Sequence, residues 1–200
     1  SQRKIWLPSS IKTIGNLMYN DFNRHVWDAP AGQNYGVVGD AFRPAFNPEI
    51  EVTDKIYAQY LNYGNSWPNG VMTIEGQKTN YAQNSAFNRI NVRRLFLYLE
   101  RWAQTVCQTF VYEPNNMYTW QRMKDALEPE FARIYNEGGL YDYRIVIDER
   151  NNPPEVIDNN ELRVAIFLQP VKICERIVVS FVATKTGIDL DERIAQGIEY

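Results

Sequence analysis

The chain holds a single histidine, His25, and only two cysteines, Cys107 and Cys174. With the cysteines so far apart, a Cys/His zinc site cannot be assembled within one chain. Both lie in apolar runs, which predicts two reduced, buried thiols in place of a disulfide. No run approaches the ~18 uninterrupted apolar residues that a membrane-spanning helix needs. The N-terminus does not read as a signal peptide. Charge of one sign is scarce as well: the formal net charge is −3, and the longest basic runs are dipeptides such as Arg93-Arg94. That balance excludes a general electrostatic attraction to nucleic acid. A phosphate-binding loop is missing too, because Gly32, Gly36 and Gly39 fit neither GxGxxG nor GxxxxGK[ST] and no strand-then-helix context surrounds them. A reduced, cytoplasm-type setting without cofactor, metal or membrane is the expectation.

What is abundant is material for a core. The apolar fraction is 44%, with 13 Tyr, 9 Phe and 5 Trp, so a folded domain is expected. Residues 1–8 read as an extended lead-in ended by Pro8. Ser9 or Ser10 can cap a helix running to about Val26, whose stripe Ile11, Ile14, Leu17, Met18 and Phe22 is expected to be buried. Residues 32–70 are rich in Gly, Pro and Asn and read as irregular surface, with a short helix near Asp54–Tyr63. Asn69-Gly70 is a turn signal, and residues 71–78 alternate like a half-buried strand.

The most pronounced periodicity lies in residues 91–137. A helix from Asn88 or Asn91 to Tyr112 carries the stripe Val92, Leu95, Phe96, Leu99, Trp102, Ala103, Val106 and Phe110, with Leu97 and Val111 adding apolar surface elsewhere. Pro114 stops it, and Asn115 or Asn116 can cap a second helix with the stripe Trp120, Met123, Leu127, Phe131, Ile134 and Tyr135. Pro129 is expected to kink or restart that helix, and Gly138-Gly139 to end it. Strands follow at residues 141–148, 163–168 and 177–183, the last continuously apolar and expected to be covered on both faces. The expected class is α/β (α+β): one mixed β-sheet from residues 71–78, 141–148, 163–168 and 177–183, packed on the two long helices. Residues 9–183 form the core domain, 1–8 an N-terminal arm and 184–200 a C-terminal arm or tail with a short helix around residues 189–196.

Chemistry-bearing clusters are few. Asp148, Glu149, Glu155, Asp158 and Glu161 are carboxylates beside polar turns, and Asp148, Glu149 or Asp158 would serve an alternative reading as a glycoside hydrolase. The aromatic stretch 57–67 would serve a second alternative, a carbohydrate- or peptide-binding module. Both compete with plainer readings, as solvated loop ends and as core. His25 reads as structural or exposed. Arg93 and Arg94 stand where the helix dipole opposes a cation, so they call for carboxylate partners, within the chain or on a neighbouring subunit.

Two separated blocks carry a resemblance. The first is Pro8-Ser9-Ser10 with Asp21, His25, Val26, Trp27 and Ala29-Pro30-Ala31-Gly32. The second is Ile90-Asn91-Val92-Arg93-Arg94-Leu95, then Val111-Tyr112-Glu113-Pro114-Asn115-Asn116, Trp120, Gly138-Gly139-Leu140 and Tyr143. It continues through Asp148, Asn152, Pro154, Ile157-Asp158-Asn159-Asn160 and Gln169-Pro170-Val171-Lys172 to Phe181. Together they resemble the C-terminal portion of contractile tail sheath proteins of myovirus-type bacteriophages. The chain departs at His25, where the pattern usually has Gly, and at Glu75 and Lys78, which stand at its Trp and Arg positions. The resemblance implies a structural, non-enzymatic subunit that polymerises helically around a tail tube and contracts to drive the tube through the host envelope. It implies as partners neighbouring sheath subunits, the tail tube protein, and baseplate and tail terminator proteins. Assembly would occur in the host cytoplasm, with the product in the virion tail. Arms of neighbours would add strands to the next subunit's sheet, and Arg93, Arg94, Ile177, Val179 and Phe181 are candidate subunit-interface residues.

Overall fold

The computed structural model describes residues 5–39, 41, 43–83, 85–175 and 177. In chain order the elements are α1 (Ser9–Asn23), α2 (Gly32–Tyr35), α3 (Ile50–Ala58), β1 (Tyr63–Ser66), β2 (Met72–Glu75), α4 (Ile90–Gln108), α5 (Met117–Asn136), β3 (Leu140–Val146), α6 (Pro154–Asp158) and β4 (Ala165–Pro170).

The core sits where the periodicity is clearest. Asn116 caps α5 by accepting from the Thr119 backbone N–H at 3.0 Å. The stripe Trp120, Met123, Leu127, Phe131 and Ile134 is buried as its spacing predicts. On one side it meets Leu95 and Leu99 of α4, with Trp102, Ala103, Val106 and Phe110 continuing that contact. On the other it meets Leu140 and Ile145 of β3. Phe131 lies edge-on to Trp102 and stacks on Tyr143, each ring centroid 5.8 Å away. Tyr135, expected in this stripe, is 47% exposed at its margin; Leu97 of α4 and Val111, just beyond the helix's end at Gln108, also face outward. Pro129 neither ends nor restarts α5. It lies on the exposed face, where the carbonyl it leaves unbonded can be hydrated.

The expected single mixed sheet is not formed among the described residues. β1 and β2 are an antiparallel pair around the Asn69-Gly70 turn, and β3 and β4 a second antiparallel pair. The strand at 71–78 therefore belongs to a separate hairpin, whose first strand, β1, its Gly-Asn-Ser composition conceals. The α+β class stands, with mixed helices and small sheets. Of the strand expected at 177–183, residues 178–183 lie outside the described residues, and Ile177 is 80% exposed instead of covered.

The largest departure is α1. It ends at Asn23, has no side-chain cap, and turns its polar face inward. Asn20 is 1% exposed; its amide donates to the Tyr35 carbonyl at 2.9 Å, and the Asn16 amide does so at 3.0 Å. The stripe expected to be buried points the opposite way, with Ile11, Ile14, Met18 and Phe22 all more than half exposed. Helical spacing identified the face correctly. The Asn ladder at the opposite side decides which face meets the chain, because buried backbone carbonyls need donors. The thiols also differ from expectation: neither forms a disulfide, but Cys107 is half-buried and Cys174 exposed.

Two predictions follow from this packing. Phe131 is fully buried and Phe22 is 90% exposed. Denaturant unfolding should show Phe131→Ala losing about 3–5 kcal/mol of stability and Phe22→Ala less than about 0.5 kcal/mol. Equal losses would mean α1 is buried in solution. The second prediction concerns alkali. The Tyr143 phenol is pushed up to about 12 by burial and by its 2.7 Å hydrogen bond to Glu128. Tyr57 is also raised to about 12, by burial and then by the nearby Glu175 charge. Tyr98 is raised by its hydrogen bond to Glu130. Because these folded values exceed the ordinary value near 10, their contribution to stability is intact below about pH 10 and is lost as pH rises towards 12. Ultraviolet phenolate titration should resolve a late-ionising group of tyrosines, reduced in Tyr143→Phe. A single transition near 10 for all 13 tyrosines would contradict it.

Candidate subunit interface

The β3–β4 ladder is the best-defined surface with unmet bonding capacity. Gly138, at φ 82, lets α5 end in a left-handed turn, and the Gly139 N–H closes on the Ile134 carbonyl at 2.8 Å. A Cβ on Gly139 would lie 2.6 Å from Ile134 Cγ2 and 2.8 Å from the Trp27 ring, so only glycine brings the chain straight from α5 into β3. Tyr143 then pairs with Leu168, Ile145 with Ile166 and Val146 with Ala165, with a bulge between Leu140 and Asp142. The far end is closed by two asparagines. The buried Asn152 side chain accepts from the Arg163 N–H at 2.7 Å and donates to the Arg163 carbonyl at 3.0 Å. Asn151 donates to the Val146 and Arg163 carbonyls. Both ends of the ladder are thus fixed, while no further strand lies along either outer edge among the described residues. Such an edge offers main-chain donors and acceptors to another strand. Tyr141 and Phe167 stand exposed on the ladder.

The candidate residues fall in different places. The Arg94 guanidinium reaches back across the α1–α4 junction, forming an ion pair with Asp21 and donating to the Asp28 carbonyl at 3.2 Å. Its partners are within the chain. Arg93 is exposed on the outer side of α4. Ile177 is exposed, and Val179 and Phe181 lie outside the described residues.

A further anchor was not legible in the sequence. Glu175 receives two hydrogen bonds from Arg89, at 2.6 and 2.9 Å, and one from Gln77 at 3.3 Å. This ties the segment after β4 to the residues before α4, 86 positions away in sequence. Lys78 is also engaged, with its ammonium 3.9 Å from the centre of the Tyr57 ring and donating to the Tyr57 carbonyl at 2.6 Å.

The alternative chemistries gain no support. Asp148 and Glu149 line a shallow surface cavity of about 330 Å³ with Met117, Trp120, Gln121, Ile147 and Arg150. The Asp148 carboxylate pairs with Arg150 at 2.6 Å, and that hydrogen bond holds it below the ordinary carboxylate range. A raised pKa, as a general acid requires, is the opposite. Asp158 closes the short α6 and is exposed. The aromatics of 57–67 are engaged within the chain: the Trp67 indole N–H donates to Thr73 Oγ1 at 2.9 Å, the Tyr60 hydroxyl donates to the Ala82 carbonyl at 2.9 Å, and Tyr57 lies against Lys78. His25 is half-exposed, stacks on Trp27 at 4.5 Å and lies 3.6 Å from Glu137. No group of His, Cys, Asp and Glu among the described residues is placed to hold a metal ion. No helix among them is long and apolar enough to cross a membrane.

Comparison with known proteins agrees with this picture. The phage tail sheath C-terminal domain family matches residues 82–184, just over half of the chain. The tail sheath protein of Vibrio phage KVP40 is 34% identical over 194 residues, covering 97% of this chain and 29% of that protein. The tail sheath protein of Enterobacteria phage T4 is 32% identical over 187 residues, covering 94% and 28%. The chain thus spans under a third of the length of these relatives. Among solved structures, the contracted-state PVC sheath complex of an extracellular contractile injection system superposes with a TM-score of 0.84 at 26% identity, over 96% of this chain and 54% of that one. With the fold, the family match and the curated relatives in agreement, the chain belongs to the phage tail sheath family, in its C-terminal domain.

Proposed function

We propose that this chain is the tube-proximal portion of a contractile tail sheath subunit. It polymerises helically around a tail tube and shortens to drive the tube through the host envelope. Residues 9–183 act as the rigid body, and residues 1–8 and 184–200 act as arms that bond to neighbouring subunits. The observation that carries this reading is the β3–β4 ladder, fixed at both ends and open along both edges among the described residues. A strand donated by a neighbour would gain main-chain hydrogen bonds there whatever its side chains. Such a tether stays attached while rigid bodies rotate. Repeated head-to-tail contacts generate an open helical polymer, and contraction draws on many subunits each moving between two packings. The chain in this reading carries out no reaction of its own and holds no cofactor. Its partners are other sheath subunits, the tube, and the baseplate and terminator proteins that bound the sleeve. It assembles in the host cytoplasm and ends in the virion tail.

Electron microscopy of the intact protein at high concentration tests the proposal. Uniform hollow tubes are expected, and a persistently monomeric protein would sink it. Deleting residues 1–8 and 184–200 should abolish polymerisation while leaving the melting temperature nearly unchanged. A large fall in melting temperature would instead place those segments in the core.

A further inference from the structure

The outward face of α1 is the largest feature that the fold leaves unexplained. Ile11, Ile14, Met18, Tyr19 and Phe22 are 51, 57, 67, 60 and 90% exposed. They leave on the order of 700 Å² of side chain in water, above the few hundred Å² typical of a monomer's largest apolar patch and close to the ~800 Å² per partner of a standard interface. Ile5, Trp6 and Leu7 of the lead-in before α1 are exposed as well. Gly15 sits within the same stripe, and a Cβ there would meet nothing within 4 Å. A glycine inside a helix costs about 1 kcal/mol relative to alanine, and no packed neighbour among the described residues offsets it. A close-packed element of another chain would.

A second patch stands at the other end of the molecule. α4 begins beside α1, where Asn91 donates to the Trp27 carbonyl at 3.2 Å. Its 19 residues carry the chain about 28 Å away to the corner between α4 and α5. There Val111, Tyr112, Met117 and Tyr118 are 58, 102, 70 and 72% exposed. Tyr112 has φ 73, the left-handed position of a turn that the Glu113 N–H closes on the Phe110 carbonyl at 3.1 Å, and its ring is wholly in solvent.

We infer that the α1 stripe is a subunit contact occupied by a second copy of this chain, presented through that copy's 111–118 corner. Two dissimilar apolar patches at opposite ends of one rigid helix form a heterologous pair, the arrangement that propagates into an open polymer and does not close into a two-fold dimer. The inference deepens the sheath reading by naming a contact between rigid bodies, separate from any exchange of arms along the β3–β4 edges.

The test uses two double variants of the full chain, followed by sedimentation velocity and thermal melting. Met18→Glu with Phe22→Glu disables the stripe. Tyr112→Asn with Tyr118→Glu disables the corner, asparagine being tolerated at positive φ. The unsubstituted chain should associate progressively with concentration. Each variant alone should associate at least tenfold more weakly, with an unchanged melting temperature. Mixed, the two should form a one-to-one complex at concentrations where neither variant associates alone, because one stripe and one corner remain. Absence of the mixed complex, or variants that associate like the unsubstituted chain, would overturn the inference. A melting temperature lowered by the stripe variant would also overturn it, since the face would then be covered within its own chain. Microscopy separates this outcome from the fate of the sheath reading. Tubes formed by both variants leave the sheath reading standing and defeat the contact. One-to-one complexes without tubes from the unsubstituted protein do the reverse.

Discussion

The structure depends on one helix being buried from two sides. Leu127, Phe131 and Ile134 of α5 are each fully shielded, by α4 on one flank and by β3 on the other. Each such side chain contributes about 1.5–3 kcal/mol by leaving water. A two-stranded ladder is marginal in isolation and gains stability by packing on a helix. α5 therefore supports β3–β4 while its edges stay unpaired among the described residues. An edge that is firm without being covered can receive a strand from another chain and keep its register.

The N-terminal third joins the core through the buried Trp27 ring, with polar contacts gathered around it. Asn91 holds the Trp27 carbonyl, Arg94 bridges Asp21 and Asp28, and the Arg133 guanidinium lies 5.8 Å from the centre of the indole ring. Arg133 itself is fixed between Glu130 and Glu137, both at 2.6 Å. Partly exposed ion pairs of this kind are each worth no more than about 1 kcal/mol. They supply direction more than stability, and they set α1 so that its asparagines face the chain. That division places the apolar core beside the β3–β4 ladder and the polar contacts beside α1.

The two long helices, the Asn116 cap, the Gly138-Gly139 turn and the two strands β3 and β4 after it were legible because their signals are local. A stripe at helical spacing, a cap and a glycine pair act over a few residues, and the structure places them within a few positions of expectation. β1 was illegible because Gly64, Asn65 and Ser66 have no strand preference of their own; their ladder with β2 makes them a strand. The Arg89–Glu175 anchor was illegible because no local pattern links residues 86 positions apart. The role assigned to Arg94 was half-read: its need for a carboxylate was visible at the helix start, but not that Asp21 answers it from within the chain.

The sequence by itself determined family, class and the core, because periodicity and a long ordered match both reside in the one-dimensional pattern. It also determined that α1 has an apolar face. Only the tertiary structure decided which way that face points. Amphipathicity states that a helix has two unlike sides, and burial follows whichever side finds partners. Here the Tyr35 carbonyl needed donors, Asn16 and Asn20 supplied them, and the apolar side was left to the solvent.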